Sequence, residues 1–231
     1  MLIFQKIKAV LILIQMVITV SITMFFMWLF NKKHWYFRKK WAKLQAFLIG
    51  YKLTIKGEAF PDTRLVLMNH QSMLDIIVVE GCYHDNLAWV AKKEIAEMTF
   101  FGKILTLPKM IVIDREDTRK SLVKLFKDVK DRLADNRVVA MFPEGTRGDG
   151  KTLLPFKPGA KLIAEKLELK VQPVVIVNTR EIVDSQNFVA KKGDITIIYL
   201  DPINPKEDKE WFSKLHTKMQ ETLESELRLL T

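Results

Sequence analysis

His70 and Asp75, in the run Asn69-His70-Gln71-Ser72-Met73-Leu74-Asp75, are the residue types of a general base and of the carboxylate that orients it. On one continuous helix, side chains five apart point about 140° away from each other. They can meet only if a turn intervenes, with His70 before a helix and Asp75 within it. An aspartate accepting from His70 Nδ1–H would fix the tautomer, leave Nε2 free to take a proton, and stabilise the imidazolium that follows. That is the chemistry of a base acting on a hydroxyl. Taken alone the pair is weak evidence, since a surface turn with a first-turn acid has the same letters.

Corroboration comes from two further segments. Phe142-Pro143-Glu144-Gly145-Thr146-Arg147 delivers a carboxylate, a glycine that permits close backbone approach, and an arginine able to grip phosphate oxygens bidentately. Upstream, Ile111-Val112-Ile113-Asp114-Arg115 closes another apolar run with an acid and an arginine. Two arginines after apolar runs point to an anionic acceptor. Ser72 and Cys82 are nearby nucleophile types. A direct transfer needs neither, and Cys82 reads as a small packed residue.

The elements that must position these groups follow from periodicity. Seven short β-rich runs appear after Gly50: KLTIK, RLVLMNH, LAWVAK, KMIVIDR, RVVAMFPE, VQPVVIV and DITIIYLD. Between them, Thr118–Leu133 places Leu122, Leu125, Phe126, Val129 and Leu133 on one helical stripe. Shorter helices are predicted at Leu74–Glu80, Lys93–Leu105 and Gly159–Leu167, with an amphipathic one from about Lys206 to Leu230. Alternation of this kind predicts an α/β domain, with a largely parallel or mixed sheet of about seven strands flanked by helices. His70, Glu144 and Arg115 would then follow strand ends, where α/β proteins place their sites.

Residues 1–50 read as a membrane anchor, and 51–231 as the catalytic domain. Ala9–Phe30 carries no charge and is long enough to span a bilayer, which takes about 20 residues. Its end in Trp-Leu-Phe-Asn-Lys-Lys lacks the small residues of a cleavage site. Lys32, Lys33, Arg38, Lys39, Lys40 and Lys43 follow, interleaved with Trp35, Tyr36, Phe37 and Trp41. That composition suits a second helix, over 34–49, lying in the headgroup layer of anionic lipids, with the main domain on the cytoplasmic side. Whether the first helix crosses the bilayer or enters one leaflet stays open. The net charge of +10 is also compatible with nucleic acid, but the adjoining apolar run favours membrane over nucleic acid. A single cysteine excludes an intrachain disulfide and a cysteine-based zinc cluster.

NHQSMLD, IVIDR, FPEGTR and QPVVI, spread over residues 69–176, resemble the four blocks of the glycerolipid acyltransferase family, most closely its bacterial 1-acylglycerol-3-phosphate acyltransferases. The second block departs slightly, with Met110 where many members have glycine. The resemblance implies His70 as base and Asp75 as its partner. It implies acceptor-phosphate contacts from Arg115, Glu144, Gly145, Thr146 and Arg147, and a link of Pro173 to the acyl-donor side. Lys93, which follows an apolar run, is a candidate for a further phosphate or donor contact, with a solvated charge run as the alternative reading.

The reaction implied carries a fatty acyl group from acyl-carrier protein or coenzyme A to the 2-hydroxyl of lysophosphatidic acid, with no cofactor and no metal. A backbone N–H near the start of the Asp75 helix is expected to hold the oxyanion. The expected location is the cytoplasmic face of a bacterial inner membrane. Rival readings are the same chemistry on glycerol 3-phosphate or a lyso-aminolipid, a lipid-binding protein without catalysis, and a nucleotide hydrolase. The last arises because Gly145–Thr152 spells G-x-x-x-x-G-K-[ST], although Pro155 and Pro158 oppose the helix such a loop must open into. Glu80, His84 and Asp85 lack the spacing of a helical zinc site. Arg147-Gly148-Asp149 spells an adhesion tripeptide by coincidence.

Overall fold

A computed structural model describes residues 2–114 and 118–230. All seven β-rich runs form one sheet. In chain order the strands are β1 (Tyr51–Lys56), β2 (Leu65–Met68), β3 (Leu87–Lys92), β4 (Ile111–Ile113), β5 (Val138–Met141), β6 (Val171–Val177) and β9 (Gly193–Tyr199). A small hairpin of β7 (Val183–Asp184) and β8 (Val189–Ala190) stands apart from the sheet. The sheet order is β1-β9-β6-β2-β5-β3-β4. Neighbours are parallel except β6 and β9, so the sheet is mixed. Buried β-branched runs make such strands: β2, β5 and β6 are buried along their whole length.

Two helical layers cover the sheet. On one face lie α1 (Leu2–Leu29), α2 (His34–Ile49) and α3 (Leu74–Cys82), through Ala9, Ile12, Met16, Ala42, Ile49, Leu74 and Ile77. On the other lie α6 (Thr118–Ala134), α7 (Pro158–Lys166) and α9 (Trp211–Arg228), through Leu125, Val129, Ile163, Trp211 and Leu215. Three short helices complete the chain: α4 (Lys93–Ala96), α5 (Lys103–Thr106) and α8 (Thr179–Ile182). The single helix expected over Lys93–Leu105 is therefore two. A tight turn divides it, in which Gly102 N donates to the Met98 carbonyl and a Cβ on Gly102 would meet Ala96 O at 2.1 Å.

α1 begins well before Ala9 and is long and apolar enough to cross a membrane. α2 buries a helical stripe of Arg38, Ala42, Gln45 and Ile49 against the body. Arg38 is thus not an interfacial charge. It donates to Glu80 Oε2 at 3.1 Å, Asn86 Oδ1 at 2.7 Å and the Leu87 carbonyl at 3.3 Å, while Trp89 Nε1 reaches the same Glu80 oxygen at 2.7 Å. Removing one partner of a buried ion pair strands the other. Arg38→Ala is expected to cost about 3–5 kcal/mol, read as a lowered midpoint in chemical denaturation.

β6 explains its own Gln172-Pro173. Opposite Leu200 on the antiparallel side, Pro173 O accepts from Leu200 N at 3.1 Å, but proline has no N–H to return. The Gln172 side-chain amide supplies the missing donor to Leu200 O, and its own oxygen accepts from Phe60 N at 3.0 Å. A proline in a central strand is tolerated because the glutamine beside it closes the ladder.

Candidate active site

The parallel strands β2, β5, β3, β4 and β6 all end at one edge, and the chemical groups collect there. β2 stops at Met68. Asn69 then holds β6 through its side chain, donating to Ile176 O at 2.8 Å and accepting from Ile176 N at 2.7 Å. The chain turns, α3 starts at Leu74, and the turn closes the gap that a continuous helix would leave. His70 Nδ1 lies 2.8 Å from Asp75 Oδ2. Asp75 is fully buried, whereas the His70 side chain keeps 15% of its surface exposed. Nε2 is the nitrogen left for a substrate proton.

Asp75 is held from every side. Oδ2 also accepts the N–H groups of Gln71 at 2.7 Å and Ser72 at 2.9 Å, and the hydroxyl of Thr179 donates to Oδ1. The amides of Gln71 and Ser72, in the turn that leads into α3, are therefore spent on this carboxylate, and Leu74 N turns to Ser72 Oγ at 3.2 Å. The backbone N–H expected to hold the oxyanion near that helix start is not one of these three amides. Ser72 Oγ itself donates to Val183 O at 2.7 Å and is buried, a structural role.

Glu144 follows β5 and is buried, with 2% exposure. Its Oε1 accepts His70 N at 2.6 Å and its Oε2 accepts Leu154 N at 2.8 Å. The carboxylate fastens the His70 turn to the 153–154 segment instead of facing open space. Phe142 stacks on the His70 ring at 3.9 Å between centroids, backed by Trp89. This clamp fixes the imidazole plane.

Burial pushes the Glu144 carboxyl up to about 7, aided by the charges of Asp75 and Asp149 and opposed by the two N–H donors. With a folded value above the ordinary 4.5, its contribution to stability is fully present below about 4.5 and is lost as pH rises through about 7. Relative to Glu144→Gln, the wild type is expected to lose on the order of 3 kcal/mol across that window, measurable by denaturation at several pH values.

Gly145 takes a left-handed φ of 73°, which turns the loop outward. Thr146 and Arg147 are exposed, and Arg147 Nη1 donates to Ser185 Oγ at 2.8 Å. Gly148 N returns to His70 O at 2.8 Å, and Asp149 Oδ1 accepts Lys151 N and Thr152 N, each at 2.8 Å. No helix opens until Pro158, so Gly145–Thr152 is not a phosphate loop. Arg115 lies outside the described residues. Lys93, just past β3, pairs with Asp114 at 3.0 Å. Pro173 is buried inside the sheet, in register with Leu67, one residue before the end of β2. Cys82 is half-buried, and burial raises its thiol pKa, as for a packed residue. His84 and Asp85 pair at 3.0 Å on the surface, and among the described residues no cluster could hold a metal.

A family model described as Acyltransferase matches residues 52–177, the span that holds every group above except α8 and its neighbours. A 1-acyl-sn-glycerol-3-phosphate acyltransferase of Helicobacter pylori is 41% identical over 83% of this chain and 82% of its own. The chain belongs to the acyltransferase family. A lyso-ornithine lipid O-acyltransferase of Rhizobium meliloti is 31% identical over 57% of the chain and 44% of its own. The crystal structure of a 1-acyl-sn-glycerophosphate acyltransferase from Thermotoga maritima shares the fold, with a TM-score of 0.73, 20% identity and coverage of 96% and 97%.

Two residues of this acyltransferase escaped the sequence reading. Thr179 and Arg180 follow β6 as His70 follows β2, so a polar run after a fourth strand end was the available signal. Arg180 donates to Gly148 O and to Gln186 Oε1 at 2.9 Å, bracing the loop that carries Arg147.

Proposed function

We propose that this enzyme acylates the free 2-hydroxyl of lysophosphatidic acid to give phosphatidic acid, with His70 as general base. The observation that carries this is the 2.8 Å bond from His70 Nδ1 to a buried Asp75, which leaves Nε2 of a partly exposed imidazole to take a proton. As Nε2 takes the hydroxyl proton, the oxygen attacks the carbonyl of an acyl thioester. The C–S bond breaks, and the imidazolium returns the proton to the thiolate. Acyl-carrier protein and coenzyme A thioesters both supply that group, and the step requires no cofactor. Arg147, braced beside Arg180, is suited to the acceptor's phosphate, together with Arg115, Thr146 and the turn at Gly145.

Residues 1–50 serve as the membrane anchor and 51–231 as the catalytic body, placed on the cytoplasmic face of the inner membrane by the lysines that follow α1. Anionic lipids face those lysines. The test is an acceptor panel with both donors. Lysophosphatidic acid is expected to turn over fastest, and preferential acylation of glycerol 3-phosphate or lyso-ornithine lipid would replace it as the substrate. The second acceptor has a specific claim through the Rhizobium relative.

A further inference from the structure

The connection from β3 to β4, residues 93–110, exposes large apolar side chains where a crossover should hide them. Ile95, Met98 and Phe100 are 43%, 50% and 49% exposed. This is a built tip and not a loose loop. Glu97 N donates to Lys93 O at 3.0 Å, Gly102 N to Met98 O at 2.8 Å, and Phe100 meets Phe101 edge to face at 5.4 Å. The Gly102 backbone packs so closely on Ala96 and Met98 that no side chain fits there.

Its place in the fold points to what covers it. The connections β2 to β3 and β3 to β4 run in the same direction across the sheet, so right-handed crossovers lay both on one face. The first of these is α3, which packs against α2 on the face that also carries α1. Met110, at the end of the second, packs against that same face and brings its sulfur 3.9 Å from Arg38 of α2. At the catalytic edge, α4 starts two strands from the end of β2, about 10 Å from His70 at ordinary strand spacing. α1 contacts β8 on the other side of β2. The mouth of the site thus lies between α1 and the apolar tip. Lys92, Lys93, Lys103 and Lys109 accompany the tip against Glu94, Glu97 and Asp114, with Lys93 3.0 Å from Asp114 and 3.6 Å from Glu97, so the surplus of positive charge is carried by the other three lysines.

We propose that Ile95, Met98 and Phe100 form a second membrane contact, entering the same anionic leaflet as α1 on the far side of the active-site mouth. The proposal rests on the membrane anchoring described above and adds a second foot to it. With both feet in the lipid, an acceptor reaches His70 sideways along the leaflet without leaving it.

The experiment uses the full chain with Cys82→Ala, bound to vesicles of phosphatidylethanolamine and phosphatidylglycerol, with nitroxides on single cysteines at positions 14, 98, 100 and 123. Ile14 is on the exposed face of α1, and Val123 is exposed on α6, across the sheet. Labels at 98 and 100 are expected to match 14, being accessible to oxygen and shielded from a water-soluble nickel relaxant, while 123 is open to nickel. Nickel access at 98 and 100 with 14 still shielded overturns the second contact alone. Access at 14 as well overturns the anchor on which it rests. The paired variant Met98→Asp/Phe100→Asp is expected to bind these vesicles about tenfold more weakly, with unchanged turnover of a short-chain acceptor in detergent. Vesicle binding equal to wild type, or shielding at 98 that appears only as the protein self-associates in solution, also overturns it.

Discussion

Replacing His70 with alanine is expected to lower turnover by about 10³ to 10⁴ while leaving the fold in place. The two halves of this expectation have different causes. Activity falls because the described groups packed around His70 are already engaged and cannot replace it: the Glu144 oxygens are occupied by His70 N and Leu154 N, and Ser72 Oγ is committed to Val183 O. Stability survives because Asp75 keeps three donors after the imidazole is gone, from Gln71, Ser72 and Thr179. The lost stacking on Phe142 is worth about 1 kcal/mol. Single-turnover assays with a labelled thioester, beside thermal unfolding of the same preparation, separate the two. Turnover within tenfold of wild type would remove His70 from the chemistry.

How much of this was legible in the sequence depended on how far apart the partners lie along the chain. The central strands could be read because strands buried on both faces must be continuous apolar runs, the edge strand β1 because Leu53 and Ile55 alternate with polar residues, and the turn between His70 and Asp75 because five residues cannot converge on a helix. Glu144 was picked out, yet its task was not, since its two partners are backbone groups 74 and 10 residues away. Thr179 lies 104 residues from Asp75, and nothing in a linear pattern ties a hydroxyl to a carboxylate at that distance. Arg38 misled for a related reason. It stands in a basic, aromatic run whose other members suit a headgroup layer, and only the fold brings Glu80, 42 residues on, beneath it. The β7–β8 hairpin is two residues per strand, too short for any period to register.

Asp75→Asn should separate charge from shape at the same site. The amide can take only one orientation without setting donor against donor. Its oxygen must occupy the Oδ2 position, where Gln71 N, Ser72 N and His70 Nδ1 converge, and its NH₂ must face Thr179, whose hydroxyl can rotate to accept. The turn and the imidazole tautomer are then retained, and only the negative charge that stabilises the imidazolium is lost. Turnover is expected to fall by about 10² to 10⁴ with little change in KM and little loss of stability. Asp75→Ala is the contrasting case. It leaves the same donors unpaired in a fully buried pocket, and each unsatisfied group costs about 1–3 kcal/mol, so this variant should lose stability as well as activity. Measured together, kcat and unfolding midpoints distinguish the two roles. An asparagine variant with near-native turnover would show that Asp75 only holds the His70 turn in shape, because the geometry it preserves is complete except for the charge.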